Sequence, residues 1–410
     1  MALKRHSRGA TPRAHSRRAT PGPVILVLLW LVGINLRTVV LSVPPTLPAL
    51  HHALALSYSA AGLLTSLPVL IMAVGAIPGA YLVSRVGARQ AVTYGLALLA
   101  VGAALRGALP NAAALFIFTV VLSLGIAVSQ PAVPSLVQAW LPERIGRGIA
   151  IYTNGIFVGE VIAATVTLPF LINPLGWQGA LAVWALPAAI VLVLWLAFTP
   201  AMKTSPQIGA AWFPDWRSGA MLRIGLLMGT ASIVYFGMNT WIPDTLDARH
   251  AHNLIPLTLG VLNFMQLPIS LLLTIAADAM VGRRWPFVLA GLGSVVGVTG
   301  YILAPVETAP IWAGIAGAGS STAFILNLGL PALMVPSEVA RTTGLMLTIG
   351  YGAAFFGPAL GGIAWDWSGY FRFALLPMAL GAVAMIGLGA TLPRLSVSRP
   401  VQPAASPAGS

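Results

Sequence analysis

The chain returns to an apolar run of about twenty residues roughly every thirty positions, from one end of its 410 residues to the other. Twelve such runs can be read, at 24–43, 57–81, 90–108, 112–138, 147–170, 177–199, 222–243, 254–277, 286–304, 310–334, 344–365 and 371–392. Each approaches the ~20 residues that a helix needs to cross a hydrocarbon layer ~30 Å thick. Inside that layer no water satisfies a backbone N–H or C=O, so a run of this kind must bond within itself as a helix. Charged residues make up only 8% of the chain, against about 25% in soluble globular proteins, which is too few to build a water-facing surface. The expected fold class is therefore an all-α integral membrane protein with twelve transmembrane helices.

The net charge of +13 would suggest nucleic acid in a soluble protein. Here the loops account for it. With the N-terminus placed inside, eighteen of the 22 Lys and Arg residues fall in inside segments and three, Arg106, Arg249 and Arg372, in outside ones. Arg37 completes the set. This is the positive-inside pattern, and it puts both termini in the cytoplasm of a multi-pass inner-membrane protein. Arg17–Arg18 before an apolar run would also fit a twin-arginine signal, but that run contains Arg37 and no small-residue cleavage site follows it. Residues 1–22 read as a basic cytoplasmic tail, 200–221 as a cytoplasmic linker between six-helix bundles at 23–199 and 222–392, and 393–410 as a disordered tail.

The two bundles repeat one another weakly, at an offset near 200 residues. "VPPTL" (43–47) is answered by "IPDTL" (242–246), and "SLPVL" (66–70) by "QLPIS" (266–270). "SRVGARQ" (84–90) is answered by "MVGRRW" (280–285), and "LPERIGR" (141–147) by "VPSEVAR" (335–341). Four matches in one order argue for a duplicated six-helix unit, the layout of major facilitator transporters.

The chain has no cysteine and no histidine cluster with ligand spacing, so no metal and no cofactor are expected. No Gly-x-x-x-x-Gly-Lys-Ser/Thr loop occurs, so no nucleotide partner is expected and transport is not driven by ATP bound to this chain. No soluble domain carries a nucleophile and a base, so an enzyme is not expected. The partners left are the lipid bilayer and a small-molecule substrate, with the chain acting as a monomer.

"AYLVSRVGARQ" (80–90) resembles the signature loop of the major facilitator superfamily, Gly-x-Leu-x-Asp-Arg-x-Gly-Arg-Arg. Leu82, Arg85, Gly87 and Arg89 match, and Ser84 stands where the family usually has Asp. Asp278, Gly282, Arg283 and Arg284 supply part of the same pattern in the second half. Within that superfamily the chain resembles the cyanate permease branch, which also holds 2-nitroimidazole exporters. The matching pieces are "INLRTVVLSVPPTLP" (34–48), "GLLTSLPVL" (62–70), "GIAVSQPAVPSLV" (125–137) and "TWIPDTL" (240–246). The resemblance implies that spans 1, 4, 7 and 10 line a central cavity and that spans 2, 5, 8 and 11 flank it.

On those spans a few polar residues interrupt the apolar pattern. Arg37 costs roughly 2.5–3.5 kcal/mol at mid-depth on an insertion scale. Its planar fork of donors suits a small anion, and a structural arginine bonded to helix carbonyls is the competing account. Asn35, Gln130, Tyr235, Trp241, Gln266 and Asn327 are the other candidate substrate contacts. For Asn35 a helix-packing hydrogen bond competes, and for Trp241 a place in the interfacial aromatic belt. Glu160, a carboxyl alone in span 5, is the candidate proton carrier. Arg85, Arg89, Glu143, Arg147, Asp278, Arg284 and Arg341 are expected to form a cytoplasmic gate. The leading expectation is a secondary active transporter of a small anion, cyanate-like or a small carboxylate, working by alternating access with proton coupling. An exporter of small heteroaromatic compounds and a non-transporting membrane sensor stay open as alternatives.

Overall fold

In a computed structural model of the protein the described residues are 22–141, 145–200, 218–280, 282–334 and 339–392, with the side chains at 80, 145–146, 274–279, 332–334 and 339–342 outside that description. Every regular element among them is helical. The first half holds α1 (Gly22–Leu41), α2 (Leu47–Leu54), α3 (Tyr58–Val86), α4 (Ala88–Ala108), α5 (Ala112–Trp140), α6 (Ile145–Val166), α7 (Asn173–Val183) and α8 (Ala185–Phe198). The second holds α9 (Gly219–Ala248), α10 (Ile255–Phe264), α11 (Gln266–Met280), α12 (Trp285–Leu303), α13 (Ala309–Met334), α14 (Val339–Ser368), α15 (Phe371–Ala374) and α16 (Leu376–Ala390).

Eleven helical stretches among the described residues are long and apolar enough to cross a membrane. One of them, Arg147–Phe198, has 52 residues. As a single rod it would run about 78 Å, more than twice the thickness of the layer. It breaks instead: Thr167–Ile172 is a π-helical segment, and Gly176 leaves helical geometry at φ 64°, ψ 176°. Two crossings, α6 and α7–α8, follow, and the total is twelve. Span 8 is broken at Met265, between α10 and α11. Pro268 has no N–H to give back to Phe264, so the ladder cannot run through unaltered.

Within the first half α1 packs on α6 and α4 on α5. Within the second, α9 packs on α13, α14 and α16, and α12 on α13 and α16. The halves meet chiefly where α3 lies against α14 and α6 against α10. The α1–α6 contact is a close crossing of backbones. A Cβ on Gly155 would stand 2.2 Å from the carbonyl oxygen of Trp30, and one on Gly159 2.4 Å from that of Ile34. These glycines set the distance at which residue 37 on α1 faces residue 160 on α6. We expect Gly159→Ala to push the helices apart, lowering the thermal unfolding midpoint and weakening substrate binding together. Gly293→Ala, where a Cβ meets nothing within 4 Å, should do neither.

Arg106 is a correction to the loop assignment above. It lies inside α4, wholly buried, and donates to the Val39 carbonyl at 3.0 Å and to Ser42 Oγ at 3.4 Å. It satisfies the Val39 carbonyl at the C-terminal end of α1, where a cation is favoured by the helix dipole. The third span accordingly runs from residue 88 rather than 90.

Candidate substrate-binding cavity

Side chains from both halves close around a cavity of about 150 Å³ at the centre of the helices. Arg37 comes from α1, Gln130 from α5, Glu160 from α6, Tyr235 from α9, Gln266 from the first position of α11, Ser321 from α13 and Tyr351 from α14. Two charges face one another here. Arg37 Nε lies 3.4 Å from Glu160 Oε1, and both residues are buried. The second Glu160 oxygen accepts from Gln266 Nε2 at 2.5 Å. Gln266 also donates to Tyr235 Oη at 3.2 Å, and Tyr235 donates in turn to Asn263 Oδ1 at 2.5 Å. Asn263 donates to Asn239 Oδ1 at 2.8 Å. A buried carboxylate is thus held by a cation from its own half and an amide from the other, and the network behind it runs through the second half.

The guanidinium is only partly used. Arg37 Nη2 donates to Tyr351 Oη at 3.4 Å, and Nη1 has no hydrogen-bond partner among the described residues. Tyr152 Oη, Ser232 Oγ and Ser321 Oγ, all on residues that line the same cavity, are also buried without partners. Buried polar atoms are ordinarily satisfied, because an unmet donor costs about 1–3 kcal/mol. Four such atoms lie on this one cavity wall.

Of the residues singled out in the sequence, the fold brings together Arg37, Gln130, Glu160, Tyr235 and Gln266 around the cavity. Asn35, Trp241 and Asn327 lie elsewhere. Asn35 donates to the Leu31 carbonyl at 2.9 Å, one turn back on its own helix. Asn327 donates to the Ile224 carbonyl at 2.8 Å and so ties α13 to α9. Trp241 is fully buried among Tyr58 and Trp365, towards the end of α9. Tyr351, which the sequence left open between gate packing and substrate contact, lines the cavity; Asn263 supports the site and was not singled out in the sequence. The amide spacing Asn263–Gln266, one turn of helix across the break before Pro268, was the available signal for Asn263.

A model of the Major Facilitator Superfamily matches residues 26–315. The chain belongs to the Major Facilitator Superfamily. It is 30% identical to the cyanate transport protein CynX of Escherichia coli (strain K12), over 89% of this chain and 95% of the relative. It is 26% identical to the 2-nitroimidazole transporter of the same organism, over 89% and 94%. Among solved structures it resembles the D-xylose-proton symporter, with a TM-score of 0.72 at 15% identity over 91% of this chain and 98% of that one. The nucleoside transporter NupG gives a TM-score of 0.71 at 14% identity, over 90% and 99%. At that identity the likeness shows the fold alone. The superfamily consists of transporters and not enzymes, and its members take small-molecule substrates within the membrane.

In this Major Facilitator chain the two halves also touch on the side opposite the signature loop. There His51 on α2 meets Asp244 on α9 at 3.1 Å, and Tyr58 on α3 stacks on Trp365 on α14 with ring centres 4.0 Å apart. Asp366, exposed at the end of α14, accepts the backbone N–H groups of Tyr58 at 3.1 Å and Ser59 at 2.7 Å. A carboxylate from one half thereby caps the N-terminus of a helix from the other, where free N–H groups and the helix dipole favour an anion. Asp366→Ala should raise the population open on this face roughly fivefold, for a contact worth about 1 kcal/mol. The chain lacks cysteine, so Ser321→Cys is a unique label in this background. Its modification by an impermeant maleimide applied from that face measures the shift, and unchanged labelling would reduce Asp366 to a local cap.

At the signature-loop face Ser84 Oγ donates to the Tyr81 carbonyl at 2.7 Å and so stays within its own helix. Arg85 stacks on Tyr81. Arg89 donates to Thr199 Oγ1 at 2.8 Å and to the Leu196 carbonyl at 3.3 Å, and Arg284 donates to the Leu392 carbonyl at 2.5 Å. Each caps the C-terminal end of the last helix of its half, a use of Arg that the two repeated loops share. Arg147 is exposed. Glu143 and the side chains of Asp278 and Arg341 lie outside the described residues.

Proposed function

We propose that the chain is a secondary active transporter that carries a small anion together with a proton across the inner membrane. The helices before residue 200 and after residue 218 act as two bundles, both termini are cytoplasmic, and the chain works as a monomer. The observation that carries the reading is the buried Arg37–Glu160 pair, with Arg37 Nη1 spare on the wall of a cavity between the halves. With Glu160 ionised the pair is neutral, and the charge of the guanidinium is matched although its Nη1 stays spare. When Glu160 takes a proton, Arg37 is released, and an anion entering the cavity restores neutrality by pairing with it. The two other states, anion with ionised Glu160 and no anion with protonated Glu160, leave a net charge in a low-dielectric site. Such a charge costs several kcal/mol after relaxation. Anion and proton therefore bind together, and the bundles rock between faces with a site that is neutral in both transported states. Contacts between the halves at Asp366 and through α3–α14 and α6–α10 support such a rocking motion.

Uptake of radiolabelled anions into proteoliposomes, with an inward proton gradient imposed, tests this. Accumulation should rise with the gradient and collapse with a protonophore. Accumulation indifferent to the gradient would remove proton coupling. The likeness to the 2-nitroimidazole transporter keeps a second reading, export of small neutral heteroaromatic compounds. The aromatic side chains around the cavity suit it, and it predicts transport that does not depend on Arg37.

A further inference from the structure

Arg37 accounts for one end of a ligand, and the rest of the wall describes the other end. Besides the polar groups, the cavity is lined by Tyr152, Phe157, Tyr235, Phe236, Phe324 and Tyr351. Six aromatic rings in a cavity this small are far more than a three-atom anion can touch. Its volume of about 150 Å³ matches that of an engineered apolar cavity known to take up benzene, whereas one water occupies only about 30 Å³. An ion of cyanate or acetate size would leave much of the wall without contact, and a void forfeits the dispersion energy of its lining atoms. A six-membered ring fills it.

The polar groups are also arranged for one anionic head and no second one. Among the described residues Arg37 is the single cation on the wall, and Glu160 already matches it. After Glu160 is protonated one negative charge is balanced. A dianion would leave an uncompensated charge in the buried site. The Arg37 guanidinium carbon lies 6.0 Å from the centre of the Phe236 ring, so the cation and the aromatic surface are adjoining parts of one wall. Tyr152 Oη, Ser232 Oγ and Ser321 Oγ offer further hydrogen bonds to a carboxylate or to a ring substituent.

We infer that the substrate is a planar aromatic monocarboxylate, its carboxylate on Arg37 and its ring among Phe157, Phe236 and Phe324, a conclusion that rests on the anion reading above. Ring burial supplies the affinity, since aromatic surface buried against aromatic surface gains both area and edge or face contacts. The carboxylate supplies orientation and the link to Glu160.

The test is calorimetric titration of the purified full-length chain in detergent at a pH below neutrality, with benzoate, cyclohexanecarboxylate, acetate, cyanate and benzamide as probes. Benzoate should bind at least tenfold tighter than acetate or cyanate and several-fold tighter than cyclohexanecarboxylate. Benzamide, which has the ring without the charge, should bind at least tenfold more weakly than benzoate. Phe324→Leu keeps the bulk and removes the ring. It should weaken benzoate by about tenfold and leave acetate unchanged, a comparison within one folded variant. Acetate or cyanate binding as tightly as benzoate would overturn the aromatic assignment and leave the anion reading standing. Benzamide binding as tightly as benzoate, or no anion binding at all, would overturn the anion reading itself.

Discussion

Replacing Arg37 by alanine is expected to abolish anion transport while the protein still folds. Two charge-assisted hydrogen bonds from one guanidinium are worth about 3–5 kcal/mol together, which corresponds to a loss of roughly 10²- to 4 × 10³-fold in affinity. The fold should survive because Glu160, left without its cation, can take a proton and keep its bond with Gln266. Removing one member of a buried pair is costly only when the other must stay charged. Arg37→Lys keeps the charge but loses the fork that reaches Glu160 and Tyr351 at once. It should bind the anion with intermediate affinity and transport it slowly. Affinity and initial uptake rate in monodisperse preparations measure both variants. An Arg37→Ala protein that binds and carries anions as the wild type does would make Arg37 a packing residue and favour the neutral-compound reading.

Glu160→Gln is expected to separate binding from coupling. Glutamine has no proton to exchange, so Arg37 is permanently released, and the variant imitates the protonated site. In the wild type the anion competes with ionised Glu160 for Arg37, so affinity should rise as pH falls, by up to tenfold per unit where one proton is taken up with each anion. In Glu160→Gln this slope should vanish, and the affinity at high pH should exceed that of the wild type. Counterflow exchange of labelled for unlabelled anion should persist, whereas accumulation driven by a proton gradient should be lost. Gln266, which donates to Glu160 Oε2, can turn its amide to meet the new one, so the variant should fold. A pH slope unchanged from that of the wild type would return Glu160 to a structural role.

The two variants report on one equilibrium from opposite sides. Losing the cation should remove affinity, and losing the titrating carboxyl should remove only its pH dependence. A merely structural ion pair would give neither pattern, because both variants would then change stability and leave the pH slope of binding where it was.

How much of this was legible in the sequence can be argued residue by residue. Hydropathy alone determined a membrane-spanning helical protein, because the cost of leaving backbone groups unmet in lipid acts on every residue of a run. Composition alone also singled out Arg37 and Glu160, because a charge in an apolar run is expensive wherever its partner lies. Tertiary structure decided which polar residues meet. Asn35 and Arg37 are two positions apart, so they leave α1 in different directions, and only Arg37 faces the cavity. Gln130 and Asn327 were both candidate contacts in the sequence, yet one lines the cavity and the other bonds a backbone carbonyl. Asp366 gave no sign in the sequence of its partners, and Arg106 read as a loop charge. Their partners are Tyr58 and Ser59 in one case and the end of α1 in the other, all distant in sequence. Burial is a sum over local transfer energies, and a single sequence carries it. Contact depends on how each helix is rotated and how closely the backbones approach, and that was set here by long-range packing such as the Gly155 and Gly159 crossing of α1.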